Sequence, residues 1–544
     1  MIKSLRAKFL RTRSSQSRFF RTRFFPARSI PTGSFPTKSF TTRSFPVRFA
    51  GSIALITLLL PVAPPAKATT RSFTGIQSTG RFTTANRPAT TAATSFTRPF
   101  PPPRHVLLIS IDGFRPEFYL DSGWNTPNLR QLVKRGSYAL HMKSVFPSFT
   151  YPAHSSMVSG AFPAIHQVCY NAPFDPTGSG DGSWNWATSL IRAPTIWDAA
   201  KAAGLTAATV EWPVSVGAPV TWNIPEIWPV KDGDDRITAA RPYATPGLID
   251  EIETNATGKL TPFSMNVSYF SFDETAARMA VYIMEKYKPG ILAIHLACVD
   301  EEEHDYGREG DSVRLAVANV DHEVGDLLEA VERAGLKDSM AIVVVGDHGF
   351  SDFHQVIEPN VWLSKAGLLR AGPDWNVKFN PAGGSAFLYP QHASDTAVLL
   401  PKVRAAIRQV PDSIRSRFRI IEKPELMSMG ADSKAVMALA ALPGTIFGGR
   451  TKEPDSFAAF GGHHGYDPNL PDMYTGFIVA GAGIRQGTVI PELCVVDIAP
   501  LLAELLGLDF KAPDGKLVPG IMVSPNEGSR LPNERVFRMN GSPG

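Results

Sequence analysis

Cysteine is scarce in this sequence, which holds only Cys169, Cys298 and Cys494 among 544 residues. So few thiols exclude a small scaffold held together by disulfides, and they also exclude a metal site made of four cysteines. An odd count in an exported protein allows at most one disulfide and leaves a free thiol. Three buried, unpaired thiols are the alternative, and the sequence leaves both open.

Acidic residues are absent from the first 68 positions, which carry 13 Lys and Arg side chains. The remaining residues hold 42 basic and 50 acidic side chains, a net charge of −8. The positive total therefore comes from one terminal segment. A stable nucleic-acid partner for the body of the protein is not indicated.

No apolar run is long enough to span a bilayer comfortably. The longest candidate, Ala50 to Ala63, precedes Ala66-Lys67-Ala68, a small-residue pattern typical of signal-peptide cleavage. We predict that residues 1–68 are a signal peptide cleaved after Ala68, with export to the periplasm or the extracellular space and no membrane span in the mature chain. The basic region before the apolar run is unusually long and repetitive, so a later translation start or a disordered basic arm stays open.

The pattern after residue 68 predicts a linker, a catalytic domain and a tail. Residues 69–104 are rich in Thr, Ala and Pro, which predicts a disordered linker. We predict that residues 105–530 form the catalytic domain and that residues 531–544 form the tail. Apolar strands alternate with amphipathic helices, which predicts an α/β fold with a doubly wound, mostly parallel sheet and helices on both faces. The segments 212–271 and 372–462 have weaker periodicity and predict loops and a small subdomain over the active-site edge. The main predicted elements are strands at 106–111, 205–210, 291–299, 340–345 and 476–480, and helices at 127–135, 193–204, 274–287, 313–331 and 495–506.

Thr150 stands where a loop is predicted to turn into a helix. It precedes Tyr151-Pro152-Ala153-His154 and a small, apolar run that ends at Gly160. The start of a helix offers unpaired backbone N–H groups to an anion. A threonine hydroxyl is a weak nucleophile at its ordinary pKa, so the hypothesis of a nucleophile requires a base or a metal nearby.

Candidate metal ligands recur where apolar strands end. Asp112, Asp300 and the pair Asp347-His348 follow three such strands, and His304 lies four residues after Asp300. His464 lies in a glycine-flanked loop. Oxygen and imidazole ligands without cysteine suit zinc, with manganese or iron as alternatives. Two such ions roughly 4 Å apart would hold the attacking and leaving oxygens of a phosphoryl displacement.

Six motifs, in their order along the chain, resemble those of the nucleotide pyrophosphatase/phosphodiesterase family in the alkaline phosphatase superfamily. They are Ser110 to Arg115, Thr126 to Asn128, Phe146 to His154, Asp300 to His304, Gly346 to Gly349 and His464 to Tyr466. The resemblance spans roughly residues 105–525 and implies an alkaline-phosphatase-like fold that hydrolyses phosphodiester or pyrophosphate bonds.

The resemblance also implies roles for particular residues. Asp300, His304 and His464 would hold one zinc ion, while Asp112, Asp347, His348 and the Thr150 oxygen would hold the other. Thr150 would attack phosphorus to form a phosphothreonine intermediate that water then hydrolyses, and Asn171 would donate a hydrogen bond to a non-bridging phosphoryl oxygen.

The chain departs from the family pattern at Ala153, where asparagine is usual, and at Gln167, where glycine is usual. Neither residue is a ligand, so these differences concern the substrate subgroup. His154 and His463 are interpreted as structural or as supporting the ligands.

Three other functions compete with a diesterase. A sulfatase of the same fold needs a convertible Cys or Ser, which the Thr150 motif lacks. A related phosphomonoesterase would carry a Lys-x-Arg pair, yet residues 211–218 contain no cation. A binding protein with a decayed site would not be expected to keep every ligand. We therefore predict a small-molecule phosphodiester or nucleotide substrate; the leaving group and the oligomeric state stay open.

Overall fold

The computed structural model describes residues 103–228, 235–370 and 375–523. The predicted signal peptide, nearly all of the predicted linker and the predicted tail lie outside these residues. The first strand of the described residues begins at His105. The described residues all fall within one compact unit, Phe96–Gly544.

The described residues form strands and helices that alternate along the chain. The strands are β1 (His105–Ile111), β2 (Gly136–Ala139), β3 (Met142–Lys143), β4 (Ala207–Trp212), β5 (Trp222–Pro225), β6 (Ile291–Leu296), β7 (Met340–Gly346), β8 (Ser351–Ile357), β9 (Val377–Ala382), β10 (Ser385–Pro390), β11 (Phe418–Glu422), β12 (Met437–Ala441), β13 (Gly444–Phe447), β14 (Ser456–His463), β15 (Phe477–Gly481), β16 (Val489–Ile490) and β17 (Leu493–Cys494). The helices are α1 (Glu117–Leu120), α2 (Pro127–Arg135), α3 (Thr150–Ser159), α4 (Pro163–His166), α5 (Ile196–Ala202), α6 (Arg236–Ala240), α7 (Leu248–Ile252), α8 (Ser271–Tyr287), α9 (Cys298–Tyr306), α10 (Asp311–Arg333), α11 (Pro359–Lys365), α12 (Thr396–Arg408), α13 (Asp412–Arg415), α14 (Lys423–Ser428) and α15 (Ile498–Leu506).

The central sheet has eight strands in the order β16-β2-β15-β7-β1-β6-β4-β5. Neighbouring strands run parallel except at β15, which is antiparallel to both β7 and β2. Alternate residues of β1 point to opposite faces: Leu107 and Ile109 pack against α8 and α10, whereas Val106 and Leu108 pack against α3, α5 and α15. A strand buried on both faces has to be apolar throughout, and this is why β1 reads as a continuous hydrophobic run. The predicted α/β fold with helices on both faces is confirmed.

Parallel pairing brings distant sequence positions to one edge of the sheet. Ile111 pairs with Gly346 on β7 and with Leu296 on β6. The chain therefore leaves these three strands at the same level, and the residues that follow them meet. This carboxyl edge is where open α/β sheets place their ligand-binding residues.

One predicted strand is too long. The sequence suggests a strand up to Val299 with Asp300 at its end, but β6 stops at Leu296 and Asp300 lies in the first turn of α9. The Asp273 side chain accepts hydrogen bonds from the backbone N–H groups of Ala297, at 2.8 Å, and of Cys298. These bonds satisfy backbone donors at the start of α9. The last residues of the apolar run therefore form a helix instead of the end of a strand.

The segment 372–462 contains more regular structure than its weak periodicity predicts. A four-stranded sheet, β11-β12-β10-β9, packs with α11 and α12 around a core of its own that includes Phe379, Leu388 and Val403. A second small sheet joins β13, β8 and β14. Strand β12 reads Met-Ala-Leu-Ala-Ala, and alanine has a low intrinsic preference for strands, which explains why the sequence signal is weak.

All three cysteines are unpaired in the structure, so the alternative with a disulfide is wrong. Cys169 and Cys298 are buried, and Cys494 is partly exposed. Among the described residues, no helix combines the length and apolar character needed to cross a membrane.

Candidate active site

Thr150 is the first residue of α3, and its side chain is 7% exposed. The preceding residue, Phe149, is extended, so the chain turns sharply into the helix at the threonine. Thr150 Oγ1 lies 3.4 Å from His348 Nε2. The hydroxyl therefore faces the carboxyl edge of the sheet, next to a predicted ligand.

Asp112, Asp347 and His348 form a cluster that we call the inner group. Their ligand atoms lie within 4.8 Å of one another, and all three residues are buried. His348 Nε2 is 3.3 Å from Asp112 Oδ1 and 3.3 Å from Asp347 Oδ2. Asp347 Oδ1 accepts the backbone N–H groups of Gly113 and His348, so that its Oδ2 is turned toward the other ligands.

Asp300, His304 and His464 form the outer group. His304 Nε2 lies 3.4 Å from Asp300 Oδ2, and His464 Nε2 lies 3.7 Å from Asp300 Oδ1. Helix α9 places Asp300 and His304 on one face because they are four residues apart. His464 comes from the loop after β14.

Backbone carbonyl groups orient both imidazoles of the outer group. His304 Nδ1 lies 3.1 Å from the Gly462 carbonyl oxygen, and His464 Nδ1 lies 2.9 Å from that of Ser148. Each ring therefore presents Nε2 to the site, the arrangement that metal-binding histidines adopt. Gly462 permits the close approach of β14 to α9, since a Cβ there would lie 2.2 Å from the Glu303 carbonyl oxygen.

The two groups are adjacent. The rings of His348 and His464 stack with their centroids 3.7 Å apart, and His348 Nε2 lies 3.9 Å from Asp300 Oδ1. The ligand atoms of Asp300, His348 and His464 also lie within 4.8 Å of one another. The six predicted ligands thus lie in one continuous site beside Thr150.

Burial and mutual repulsion shift the pKa values of the ligands at this site. Burial and the nearby Asp347 raise the pKa of Asp112 well above its usual range, and burial and Asp112 do the same for Asp300. Burial lowers the pKa of His304 and His464. Repelling carboxylates beside neutral imidazoles form a donor set that a divalent cation would stabilise.

Buried acceptor atoms give an independent test of this fit. Asp112 Oδ1, Asp347 Oδ2 and Asp300 Oδ1 are buried and accept no hydrogen bond in the described part of the chain. An unsatisfied buried carboxylate oxygen is costly, and a coordinated cation removes that cost. The residues present therefore fit a metal centre of oxygen and nitrogen ligands.

Asn171 lies beside the first turn of α3. Its Oδ1 accepts the backbone N–H of Tyr151 at 3.0 Å, so its Nδ2 is the group available to donate. Tyr151 follows Thr150 directly. The structure thus brings Asn171 next to the candidate nucleophile.

Two further histidines lie close to the site. His154 is buried, its Nε2 lies 2.8 Å from Ser110 Oγ, and its Nδ1 lies 2.8 Å from the Thr150 carbonyl oxygen. Its burial lowers its pKa to about 3, so it is neutral at physiological pH. His463 lies in a cluster with His304 and His464, and its Nδ1 accepts the backbone N–H of His464.

Sequence reasoning missed the buried His295, which contacts the inner group, and the buried Glu226, which contacts His295. His295, on β6, lies 3.2 Å from Asp112 Oδ2 through Nε2 and 2.9 Å from Glu226 Oε2 through Nδ1. Burial lowers the pKa of His295, but the bond to Glu226 and the surrounding carboxylates outweigh that effect and raise it overall. A histidine inside an otherwise apolar strand was the available signal, since such a residue needs a polar partner.

The three tryptophans of segment 212–271 lie in different places. Trp212 is the last residue of β4, is buried, and packs edge-on against His154 and Trp197. Trp222 stacks on Tyr287 instead. Trp228 stacks on Trp184, whose ring contacts that of Tyr151, the residue after the candidate nucleophile.

The central sheet with helices on both faces is an α/β fold of the alkaline-phosphatase-like class. Human ectonucleotide pyrophosphatase/phosphodiesterase 5 has a similar fold, with a TM-score of 0.55 at 19% identity over 76% of this chain and 97% of that one. An inactive form of the murine counterpart, solved in complex with AMP, matches with the same TM-score at 20% identity over 76% of this chain and 96% of that one.

The sequence model of type I phosphodiesterase/nucleotide pyrophosphatase matches residues 106–467, and the chain belongs to this family. It is 24% identical over 422 residues to bis(5'-adenosyl)-triphosphatase enpp4 of Mus musculus, covering 76% of this chain and 79% of that protein. It is also 24% identical to an uncharacterised pyrophosphatase/phosphodiesterase of Schizosaccharomyces pombe, covering 75% and 78%. The protein is therefore a hydrolase that acts on phosphodiester or pyrophosphate bonds.

Proposed function

We propose that the protein hydrolyses nucleotide phosphodiesters or pyrophosphates through a phosphothreonine intermediate on Thr150, at a site that holds two zinc ions. The observation that carries the proposal is the position of Thr150 Oγ1, 3.4 Å from His348 Nε2 at the junction of the inner and outer groups. Asp112, Asp347, His348 and the Thr150 oxygen would hold one ion. Asp300, His304 and His464 would hold the other.

The bound ions would supply positive charge that lowers the pKa of the attacking hydroxyl and stabilises the leaving oxygen. Thr150, fixed by the first turn of α3, attacks phosphorus from the side of the inner group. An in-line displacement then expels the leaving oxygen toward the outer group, on the opposite side of phosphorus.

Asn171 donates to a non-bridging oxygen of the phosphoryl group. Asn171 Oδ1 is occupied by the Tyr151 N–H, which turns Nδ2 into a fixed donor. A donor that is already in place needs no rearrangement when charge develops on the phosphoryl group. Water that enters from the partly exposed outer side then hydrolyses the phosphothreonine and regenerates Thr150.

The substrate proposal is a diester or pyrophosphate of a nucleotide. Two similar proteins carry names that include a nucleotide ligand or substrate, AMP in one case and a bis(5'-adenosyl) triphosphate in the other. In residues 211–218 the only ionisable side chain is Glu211, which pairs with the buried Arg236 and offers no cation to a phosphate dianion. A phosphomonoesterase of the same superfamily is the alternative.

Metal content and turnover test this function together. We expect protein that lacks residues 1–68 to contain close to two equivalents of zinc and to hydrolyse p-nitrophenyl thymidine monophosphate, with turnover lost on chelation and restored by zinc. Less than half an equivalent of zinc after purification without chelator would overturn the two-ion proposal. Metal-loaded protein that cleaves no diester or pyrophosphate in a substrate panel would overturn the function.

We also propose that the chain is exported. The apolar run at 50–63 and the Ala66-Lys67-Ala68 pattern support this proposal, although both lie outside the described residues. The mature protein should begin at Thr69, which N-terminal sequencing checks. Protein recovered from the cytoplasm with residues 1–68 intact would contradict it.

A further inference from the structure

His295 is a buried polar side chain in the middle of the sheet. It is 1% exposed, and the residues around it on β6 are apolar and belong to the two hydrophobic cores. Its side chain points to the same face as Ala293, toward α3, where its ring lies 4.5 Å from that of His154. Burying an imidazole here costs free energy unless it makes polar contacts, so His295 requires polar partners.

Both ring nitrogens of His295 face carboxylates. Nδ1 lies 2.9 Å from Glu226 Oε2, and Nε2 lies 3.2 Å from Asp112 Oδ2. The contact with Glu226 has hydrogen-bond geometry, whereas the contact with Asp112 is a close ion-pair contact. His295 therefore links Glu226 to Asp112, a proposed metal ligand.

Glu226 is itself fixed at both oxygens. While Oε2 contacts His295, Oε1 accepts the Tyr151 hydroxyl at 3.1 Å and Trp228 Nε1 at 2.6 Å. Glu226 is 2% exposed. It cannot rotate without losing several bonds in a buried setting, and so it holds the His295 ring in one orientation.

His295 and His348 approach different oxygens of Asp112. Nε2 of His295 meets Oδ2, whereas Oδ1 lies 3.3 Å from His348 Nε2 and accepts no hydrogen bond. The two oxygens of Asp112 thus have different partners, one in the protein and one at the proposed metal position.

We propose that His295, held by Glu226, is a positioning residue that orients Asp112 for metal binding at the inner group. This inference rests on the proposed function because it assumes that the inner group holds a metal ion. Groups that orient metal ligands in this way typically contribute about 10–100-fold to metal affinity. The effect is expected at one of the two ions only, because the ligand that His295 contacts, Asp112, belongs to the inner group.

The test compares zinc affinities of the full mature protein and its variants by competition with a chelating dye, following each equivalent separately. We expect His295→Leu to weaken one equivalent by about 10–100-fold. His295→Gln, which keeps one donor, should weaken it less, and Glu226→Gln should weaken the same equivalent. In the double variant His295→Gln/Glu226→Gln, the fold-decrease in zinc affinity should be smaller than the product of the two single fold-decreases. The reason is that the two residues act as one unit.

His166→Gln is the matched control. His166 is also fully buried, and its Nε2 lies 2.9 Å from Ser156 Oγ, yet it contacts none of the proposed ligands. We expect it to lower the Tm of metal-free protein about as much as His295→Gln while leaving both zinc affinities unchanged. Cobalt(II) spectra should change for the His295 variants and stay unchanged for His166→Gln.

Each result decides the proposal. Excess zinc should restore turnover to His295→Gln, since the variant loses metal rather than the nucleophile. The positioning role would be overturned if zinc affinity were unchanged in His295→Gln and Glu226→Gln, or if both equivalents were weakened equally. It would also be overturned if His166→Gln weakened zinc binding to the same extent, or if wild-type protein bound no metal. If wild-type protein binds two ions and the variants lose one, but no diester is cleaved, the proposed function fails while the positioning role stands.

Discussion

The inner and outer groups use the same ligand chemistry in different surroundings. In the inner group the side chains of Asp347 and His348 are fully buried and that of Asp112 is 6% exposed. In the outer group Asp300 is 17% exposed, His304 12% and His464 5%. The inner ligands follow the ends of β1 and β7, whereas the outer ligands come from α9 and the loop after β14.

This difference separates a rigid part of the site from an accessible part. Residues that directly follow two paired central strands have little freedom, because the hydrogen bonds of the sheet fix the register. A helix and a loop can shift with less cost, and their partial exposure lets water and a leaving group approach. The inner group thus suits a fixed nucleophile, and the outer group suits solvent and product exchange.

Replacing the nucleophile should have the largest effect of all. Thr150→Ala removes the attacking oxygen of the proposed intermediate, so we expect kcat for a diester to fall by about three orders of magnitude or more. Thr150→Ser keeps a hydroxyl and should retain part of the rate. Near-wild-type turnover in Thr150→Ala would refute the assignment.

The contrast between the groups also predicts the order in which metal is lost. Asp347→Asn in the inner group and His304→Gln in the outer group should each reduce turnover by about two orders of magnitude or more. On exposure of wild-type protein to a chelator, one equivalent should leave faster, and His304→Gln should lack that fast phase. A single phase for both equivalents, with no difference between the variants, would remove the distinction between a closed and an open group.

Selectivity for diesters over monoesters should be smaller but still clear. A monoester dianion brings one more negative charge than a diester, and Glu211 with its neighbours offers no cation for it. An unmatched charge in a partly dehydrated site costs a few kcal/mol, roughly two orders of magnitude in rate. We would compare kcat/KM for p-nitrophenyl thymidine monophosphate and p-nitrophenyl phosphate, and a preference for the monoester would favour the phosphatase alternative.

The smallest expected effect concerns a buried carboxyl group outside both groups. Glu323 on α10 is 1% exposed, and burial together with Asp273 raises its pKa from 4.5 to about 8. The folded protein therefore binds more protons than the unfolded chain between these values, so this residue makes stability fall as pH rises through that window. Glu323→Gln should raise the Tm at pH 8 by about 2–4 °C and leave it nearly unchanged at pH 4.5.

A variant on the exposed face of the same helix controls for this effect. Glu329 has a side chain that is 74% exposed, so Glu329→Gln should not change the pH dependence of the Tm. Zinc content should be the same in both variants. An equal gain in Tm at both pH values for Glu323→Gln would show that the raised pKa of this residue does not act on stability.

Local patterns account for most of the central sheet. The apolar runs at β1 and β7 and the amphipathic repeat in α10 agree with the structure within a few residues, because burial on two faces or on one stripe leaves a periodic signature. The subdomain sheet around β10 and β12 was harder to foresee. Its strands are short and partly made of alanine, and they acquire their conformation from packing against α11 and α12.

The sequence by itself determined the α/β class, the place of Thr150 at a helix start and the order of the candidate ligands along the chain, because each depends on residues close together in sequence. Only the tertiary structure decided that β6 ends before Asp300, that Trp212 is buried, and that His295 joins Glu226 to Asp112. His295 and Glu226 are 69 residues apart, and no local periodicity records such a contact. It exists because the parallel strands β5, β4, β6 and β1 bring their ends to one edge, where buried polar side chains have to pair with one another.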